Sequence, residues 1–161
     1  MSYLKGFTLI ELVVTIAIIA VLSGVILFSV TQYINKGKDS NIYGNLAVLI
    51  PAGEVFYNGN GNSYNDTATN PPGASFCDPG KNSAIKNAFS QMPQNPDGGC
   101  LDGLTPGVCC HAESQAWVAC AIEFTYPTMA YCVDSRGMKK EIANGECANI
   151  ASANPVQCPE D

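Results

Sequence analysis

The sequence predicts an α+β protein. A long N-terminal α-helix, membrane-spanning in its first half, is expected to pack on a small antiparallel β-sheet in a disulfide-rich head. Three observations predict it. Residues 7–30, FTLIELVVTIAIIAVLSGVILFSV, form an apolar run long enough to cross a bilayer as a helix, which takes about 20 residues. From Ile34 onward, apolar or small residues recur at helical spacing. All eight cysteines lie beyond the apolar run, among segments that read as short strands.

The chain starts with MSYLKG, whose one basic residue is Lys5. This is not the start of an ordinary secretory signal. Such a signal ends in small residues after a shorter apolar stretch, whereas Phe28, Gln32 and Tyr33 here are bulky or polar. The processing point instead stands on the other flank, at Lys5-Gly6-Phe7. Inside the run sits one carboxylate, Glu11. An acid at the centre of a membrane helix costs about 2.5–3.5 kcal/mol, from which a plain anchor gains nothing. Glu11 therefore calls for a partner. Cutting after Gly6 leaves an α-amine on Phe7, with an unperturbed pKa of about 7.7–8.0. That amine lies four residues, about one helical turn, from Glu11.

The segment Gly6-Phe7-Thr8-Leu9-Ile10-Glu11-Leu12 resembles the type IV prepilin motif of bacterial pilins and type II secretion pseudopilins. The sharp match covers about seven residues, and a weaker helical likeness extends to about Tyr64. The resemblance implies a type IV pilin-like fold. It implies that a prepilin peptidase cleaves after Gly6 and N-methylates Phe7. It also implies that Glu11 pairs with the N-terminal amine of a neighbouring copy during assembly. The precursor would be a single-pass protein of the inner (cytoplasmic) membrane. The pilus assembly machinery there would build it into an extracellular helical homo-oligomer used in adhesion or motility. One departure stands at Phe28, where many relatives carry Pro. Here Ser23-Gly24 is the weak spot of the apolar helix, since Gly costs about 1 kcal/mol against Ala. We read it as a close packing site.

Four segments follow: a leader at 1–6, a transmembrane and assembly helix at 7–30, its amphipathic continuation at 31–57, and a disulfide-rich globular head at 58–161. In the continuation, Ile42, Leu46, Leu49, Gly53 and Phe56 make one stripe, and Lys36, Lys38, Asp39, Asn41 and Asn45 fill other faces. Pro51 removes one interior hydrogen bond, so a bent but continuous helix is expected to about Tyr57. Asn58-Gly59-Asn60-Gly61-Asn62 ends it, because Gly and Asn accept the left-handed conformation.

Residues 58–80 read as a loop. Its Asn65-Asp66-Thr67 triplet reads as coincidental, and its acids lack the spacing of an EF-hand calcium loop. Residues 82–91 suit a short helix capped by Asn82 or Ser83. Pro93, Pro96 and Asp97-Gly98-Gly99 make another turn-rich stretch. Residues 116–124 and 129–134 read as a hairpin. Alternation puts Val118, Cys120, Ile122 and Phe124 on one face, which is expected to cover the helix. Trp117, of opposite parity, is expected to be partly buried under loops. Asp134-Ser135-Arg136-Gly137 is a turn, residues 138–142 suit a third strand, and a tail follows.

A formal net charge of -6 makes nucleic acid a poor partner for the bulk surface. The cysteines are Cys77, Cys100, Cys109, Cys110, Cys120, Cys132, Cys147 and Cys158, and they read as bridges formed in an oxidising compartment. On the order of a hundred pairings are open, with adjacent Cys109 and Cys110 taking different partners. The resemblance implies a C-terminal bridge between Cys147 and Cys158. No C-x-x-C pair occurs and His111 is the single histidine, so neither a zinc site nor any other metal or cofactor is expected. No catalytic frame is present either. A Cys110 nucleophile beside His111 would need access and a depressed pKa, and the surrounding cysteines argue for bridges instead.

The function expected is therefore a type IV pilus subunit. Within the family, a pseudopilin or minor pilin of a type II secretion or DNA-uptake system is the alternative. The absence of a calcium-binding C-terminal motif of the kind carried by major pseudopilins favours the pilus. From another class, a monomeric membrane-anchored ligand-binding protein would keep its original terminus and tolerate an apolar residue at position 11.

Overall fold

The computed structural model describes residues 6–65, 75–95, 106–150 and 156–160. Residues 1–5 of the leader, Asp66 and Thr67 of the triplet, the turn at 96–99, Cys100 and part of the tail lie outside them. In chain order the elements are α1 (Leu9–Gly59), α2 (Ser83–Gln91), β1 (Val108–Ala112), β2 (Trp117–Ile122), β3 (Met129–Asp134), β4 (Lys139–Ala143) and α3 (Asn144–Ala148). They fall into two compact units, Met1–Asn35 and Lys36–Asp161.

The first unit is the apolar part of α1. Its apolar side chains are exposed, from Leu9 at 80% to Val21 at 70% and Val30 at 45%. This helix is long and apolar enough to cross a membrane. Its hydroxyls turn inward on their own backbone. Those of Thr15, Ser29 and Thr31 donate to the carbonyls of Leu12, Val25 and Leu27 at 2.8, 3.2 and 3.2 Å, which suits surroundings that offer no water.

In the second unit, the sheet runs β1-β2-β3-β4, every neighbour antiparallel. The part of α1 after Lys36 packs on one face. Ile42, Leu46 and Leu49 meet Trp117, Ala119, Ala121 and Val133, with Phe76, Ile85 and Phe89 beside them. The expected stripe is thus the buried one. Asp39 belongs to it as well, although charge alone assigns it to the outer faces; it is 5% exposed. Pro51 lies inside the continuous helix on its exposed side, so the carbonyl that loses its donor lies toward solvent. The helix ends at Gly59, and Gly61 and Asn62 take positive φ of 67° and 62°, as the Gly/Asn run requires.

The other face of the sheet carries a second core. Cys109, Val118, Cys120, Ile122, Cys132 and Ile142 pack under Cys147, Ile150, Val156 and Cys158. Two expectations are corrected here. The Val118, Cys120 and Ile122 face does not cover the helix; the Trp117, Ala119 and Ala121 face does. Trp117 is fully buried under α1, not partly buried under loops. The cause is that every residue of β2 is buried. With both faces covered, hydrophobic alternation cannot say which one meets the helix. The small side chains of Ala119 and Ala121 let α1 approach, and Gly53 completes the fit. A Cβ on Gly53 would stand 2.6 Å from Trp117 Nε1.

The short helix α2 forms with Asn82 as its cap, whose side chain accepts from the Ala84 amide at 3.0 Å. The hairpin and the third strand are also present. The sequence reading did not foresee β1 and α3. Val-Cys-Cys-His-Ala has no alternation to see, and α3 has five residues.

Three bridges are described: Cys77–Cys110, Cys120–Cys147 and Cys132–Cys158. Cys109 is also disulfide-bonded. Cys109 and Cys110 do take different partners, because adjacent strand residues face opposite sides. The expected Cys147–Cys158 bridge is corrected: each of these cysteines instead reaches back to a separate central strand. That pairing fastens the C-terminal segment across the sheet. Asp134, fully buried, seals it by accepting from the Cys158 amide at 3.1 Å and from the Arg136 guanidinium at 3.0 Å.

Candidate functional site

Gly6 and Phe7 precede α1, and Phe7 is 77% exposed. Thr8 is the residue before the helix and Glu11 lies in its first turn. The Glu11 Oε2 accepts from both the Thr8 amide and the Thr8 hydroxyl, each at 2.8 Å. The Glu11 amide donates back to Thr8 Oγ1 at 3.4 Å. This reciprocal pair is a capping box, which answers two of the amides a helix start leaves unpaired. The sequence reading missed it, though Thr8-Leu9-Ile10-Glu11 carries the Thr-x-x-Glu signal openly. Both bonds fall on one oxygen of Glu11. Among the described residues the other, Oε1, makes none.

The site therefore joins an exposed residue at the proposed cleavage point, an acid one helical turn later, and a continuous exposed apolar helix behind them. A carboxylate held in this way can accept a further donor without leaving its cap. Its negative charge also lies at the positive end of the helix dipole.

A second polar cluster lies in the other unit. Asp39 on α1 accepts from the amides of Phe124 and Thr125 at 2.6 and 3.0 Å. Beside it Tyr43 donates to Glu123 Oε1 at 2.7 Å, and Lys38 Nζ sits 4.3 Å from the Phe124 ring centre. These contacts dock the loop between β2 and β3 on the helix, along a shallow cleft of about 260 Å³. Burial raises the Glu123 carboxyl above its ordinary range; the Tyr43 hydroxyl opposes this, and the charges of Glu141 and Asp39 add to it. Burial and the bond to Glu123 push the Tyr43 phenol up in turn. Tyr64, which donates to Glu54 at 3.1 Å, is pushed up to about 12, chiefly by burial. Since both Asp39 oxygens and one Glu123 oxygen are committed to protein donors, the cluster reads as docking hardware.

Among the described residues the cysteines form no thiolate site. The sulfurs of Cys109, Cys120 and Cys147 lie within 4.8 Å of one another, but all three are disulfide-bonded, and a metal binds the thiolate. Cys110 is likewise bridged to Cys77, so it is no nucleophile for His111. That imidazole instead lies 4.0 Å from Glu113.

Residues 1–27 match the family model described as the prokaryotic N-terminal methylation motif. No curated protein and no solved structure matches the chain. The motif is the signature of type IV pilins and pseudopilins. With the apolar helix and the bridged head, it supports a type IV pilin-like protein, is consistent with a membrane-anchored precursor, and implies prepilin peptidase processing in general.

Proposed function

We propose that this chain is a structural subunit of a bacterial type IV pilus. It is inserted as a prepilin, cleaved after Gly6, N-methylated on Phe7 and polymerised into a surface filament. The observation that carries this reading is the exposed apolar half of α1 with one acid, Glu11, in its first turn. Such a surface needs cover once it leaves lipid, and the same helix of other copies is cover of matching chemistry.

Cleavage gives each copy a cationic amine on Phe7, and methylation keeps the charge. Inside a bundle of apolar helices, a Glu11 without a cation must take up a proton or bear the cost of its charge. The Phe7 amine of a neighbour provides the cation. Buried ion pairs add little net stability, but leaving one partner alone costs about 3–5 kcal/mol. The pair therefore selects the axial register in which each Glu11 meets an amine. Thr8 supports this by holding one carboxylate oxygen in place.

Replacing Glu11 by Ala tests the reading. The E11A precursor is expected to insert and to be cleaved, as read by terminal sequencing of membrane-extracted protein, while surface filaments are lost in electron micrographs. Normal filaments from E11A cells, or filaments built of uncleaved chains, would sink it.

A further inference from the structure

We propose that the head reaches its bridges by disulfide exchange and is a client of a disulfide isomerase in the compartment where it folds. This inference rests on the bridge pattern and stands whether or not the chain builds a pilus. The described bridges are not those that proximity in sequence favours. Cys120–Cys147 passes over Cys132, Cys132–Cys158 passes over Cys147, and Cys77–Cys110 passes over Cys109. Short loops close with less loss of chain entropy. An oxidant acting on the thiol form therefore favours pairs near in sequence, Cys120 with Cys132 and Cys147 with Cys158 among them. Both pairs are closer in sequence than the native spans of 27 and 26 residues.

The geometry turns the first of these into a trap. Cys120 and Cys132 stand opposite each other in the β2–β3 register. The Glu123 amide donates to the Met129 carbonyl at 3.1 Å, and the Ser135 amide to the Trp117 carbonyl at 3.0 Å. Counting the alternation from either bond puts Cys120 and Cys132 at a non-hydrogen-bonded pair. The Cα atoms of such a pair approach to about 4.5 Å, inside the range of about 4.4–6.8 Å that a disulfide bridges. The wrong bridge thus forms without disturbing the hairpin. Cys109 adds a further wrong partner, since its sulfur lies within 4.8 Å of those of Cys120 and Cys147. Cys120, Cys132 and Cys147 are all fully buried, so a trap that closes before the second core is complete is then shielded from small thiols.

Escape needs a catalysed exchange. The isomerase thiolate attacks Cys132 Sγ, breaking Cys120–Cys132 and releasing Cys120 as a thiolate. The Cys158 thiolate then attacks Cys132 Sγ, forming Cys132–Cys158 and returning the isomerase thiolate. No net electrons move in these two steps. The remaining Cys120 and Cys147 thiols are joined by the disulfide of a dithiol oxidase, which takes up two electrons and two protons and leaves as a dithiol.

The test uses the full chain, reduced in detergent micelles. It is reoxidised either by a thiol-free diazene oxidant or by a glutathione redox pair with purified disulfide isomerase, and the bridges are mapped by mass spectrometry of unreduced peptides. The oxidant alone is expected to yield the Cys120–Cys132 peptide as the main product. The isomerase is expected to replace it with Cys120–Cys147 and Cys132–Cys158. Direct formation of the native pairs by the oxidant alone overturns the proposal. A C132S variant provides an independent check. Combined with C158S, which removes the Cys147–Cys158 pair as well, it should form Cys120–Cys147 with oxidant alone, and a continued need for the isomerase overturns the proposal.

Discussion

Asp39, Glu123 and Asp134 are buried acids, and each is answered differently. Asp39 takes two backbone amides, Asp134 takes backbone amides and a guanidinium, and Glu123 receives one phenol. The last is the weakest compensation for a carboxylate facing Asp39 and Glu141. Its protonated form is therefore favoured by folding, and the stability it contributes is present below its ordinary 4.5. That contribution is lost as pH rises through the raised native value. Glu123→Gln keeps an acceptor for Tyr43 and removes the titration. Thermal melts of the wild type should show a midpoint that falls over this window toward neutral pH, and E123Q should flatten that dependence; parallel curves would refute the assignment. None of the three burials was legible beforehand, because a lone acid carries no mark in the sequence of the amide or hydroxyl that will meet it. Glu11 differs in that both its anomaly and its Thr-x-x-Glu cap stand in the sequence.

Among the elements, the tightest fit is that of α1 on β2. Gly53 faces Trp117 so closely that an added methyl has nowhere to go, and overpacking of this kind costs about 1–3 kcal/mol. The gain in helix propensity from replacing Gly, about 1 kcal/mol, acts against it and is the smaller effect over most of that range. Gly53→Ala should lower the melting midpoint of the head, whereas Gly44→Ala, whose Cβ would meet nothing, should leave it unchanged or raise it. Equal behaviour of the two variants would contradict the packing described. The helix stripe was readable because one side of α1 is solvated, so period and burial coincide. The strand faces were not, because the C-terminal segment buries the side that alternation would have left to water. Such a cover is visible only once Cys147 and Cys158 are known to bridge to β2 and β3.

At the scale of the molecule, the sequence shows a long helix, a small antiparallel sheet and a disulfide set, and residues 1–27 carry the N-terminal methylation motif. What it withholds is connectivity, since many pairings are compatible with the same spacings and Cys77, Cys120 and Cys132 find partners that only the folded sheet brings near. The two C-terminal bridges overlap: the segment from Cys132 to Cys147 lies inside both closed loops. The β3–β4 turn sits there, with Arg136 exposed at its tip. A tryptic nick after Arg136 should therefore leave the two pieces travelling as one species on a non-reducing gel and parting on a reducing one. Separation without reductant would rule out the overlapping links. A head built this way stays whole after its backbone has been cut between Cys132 and Cys147.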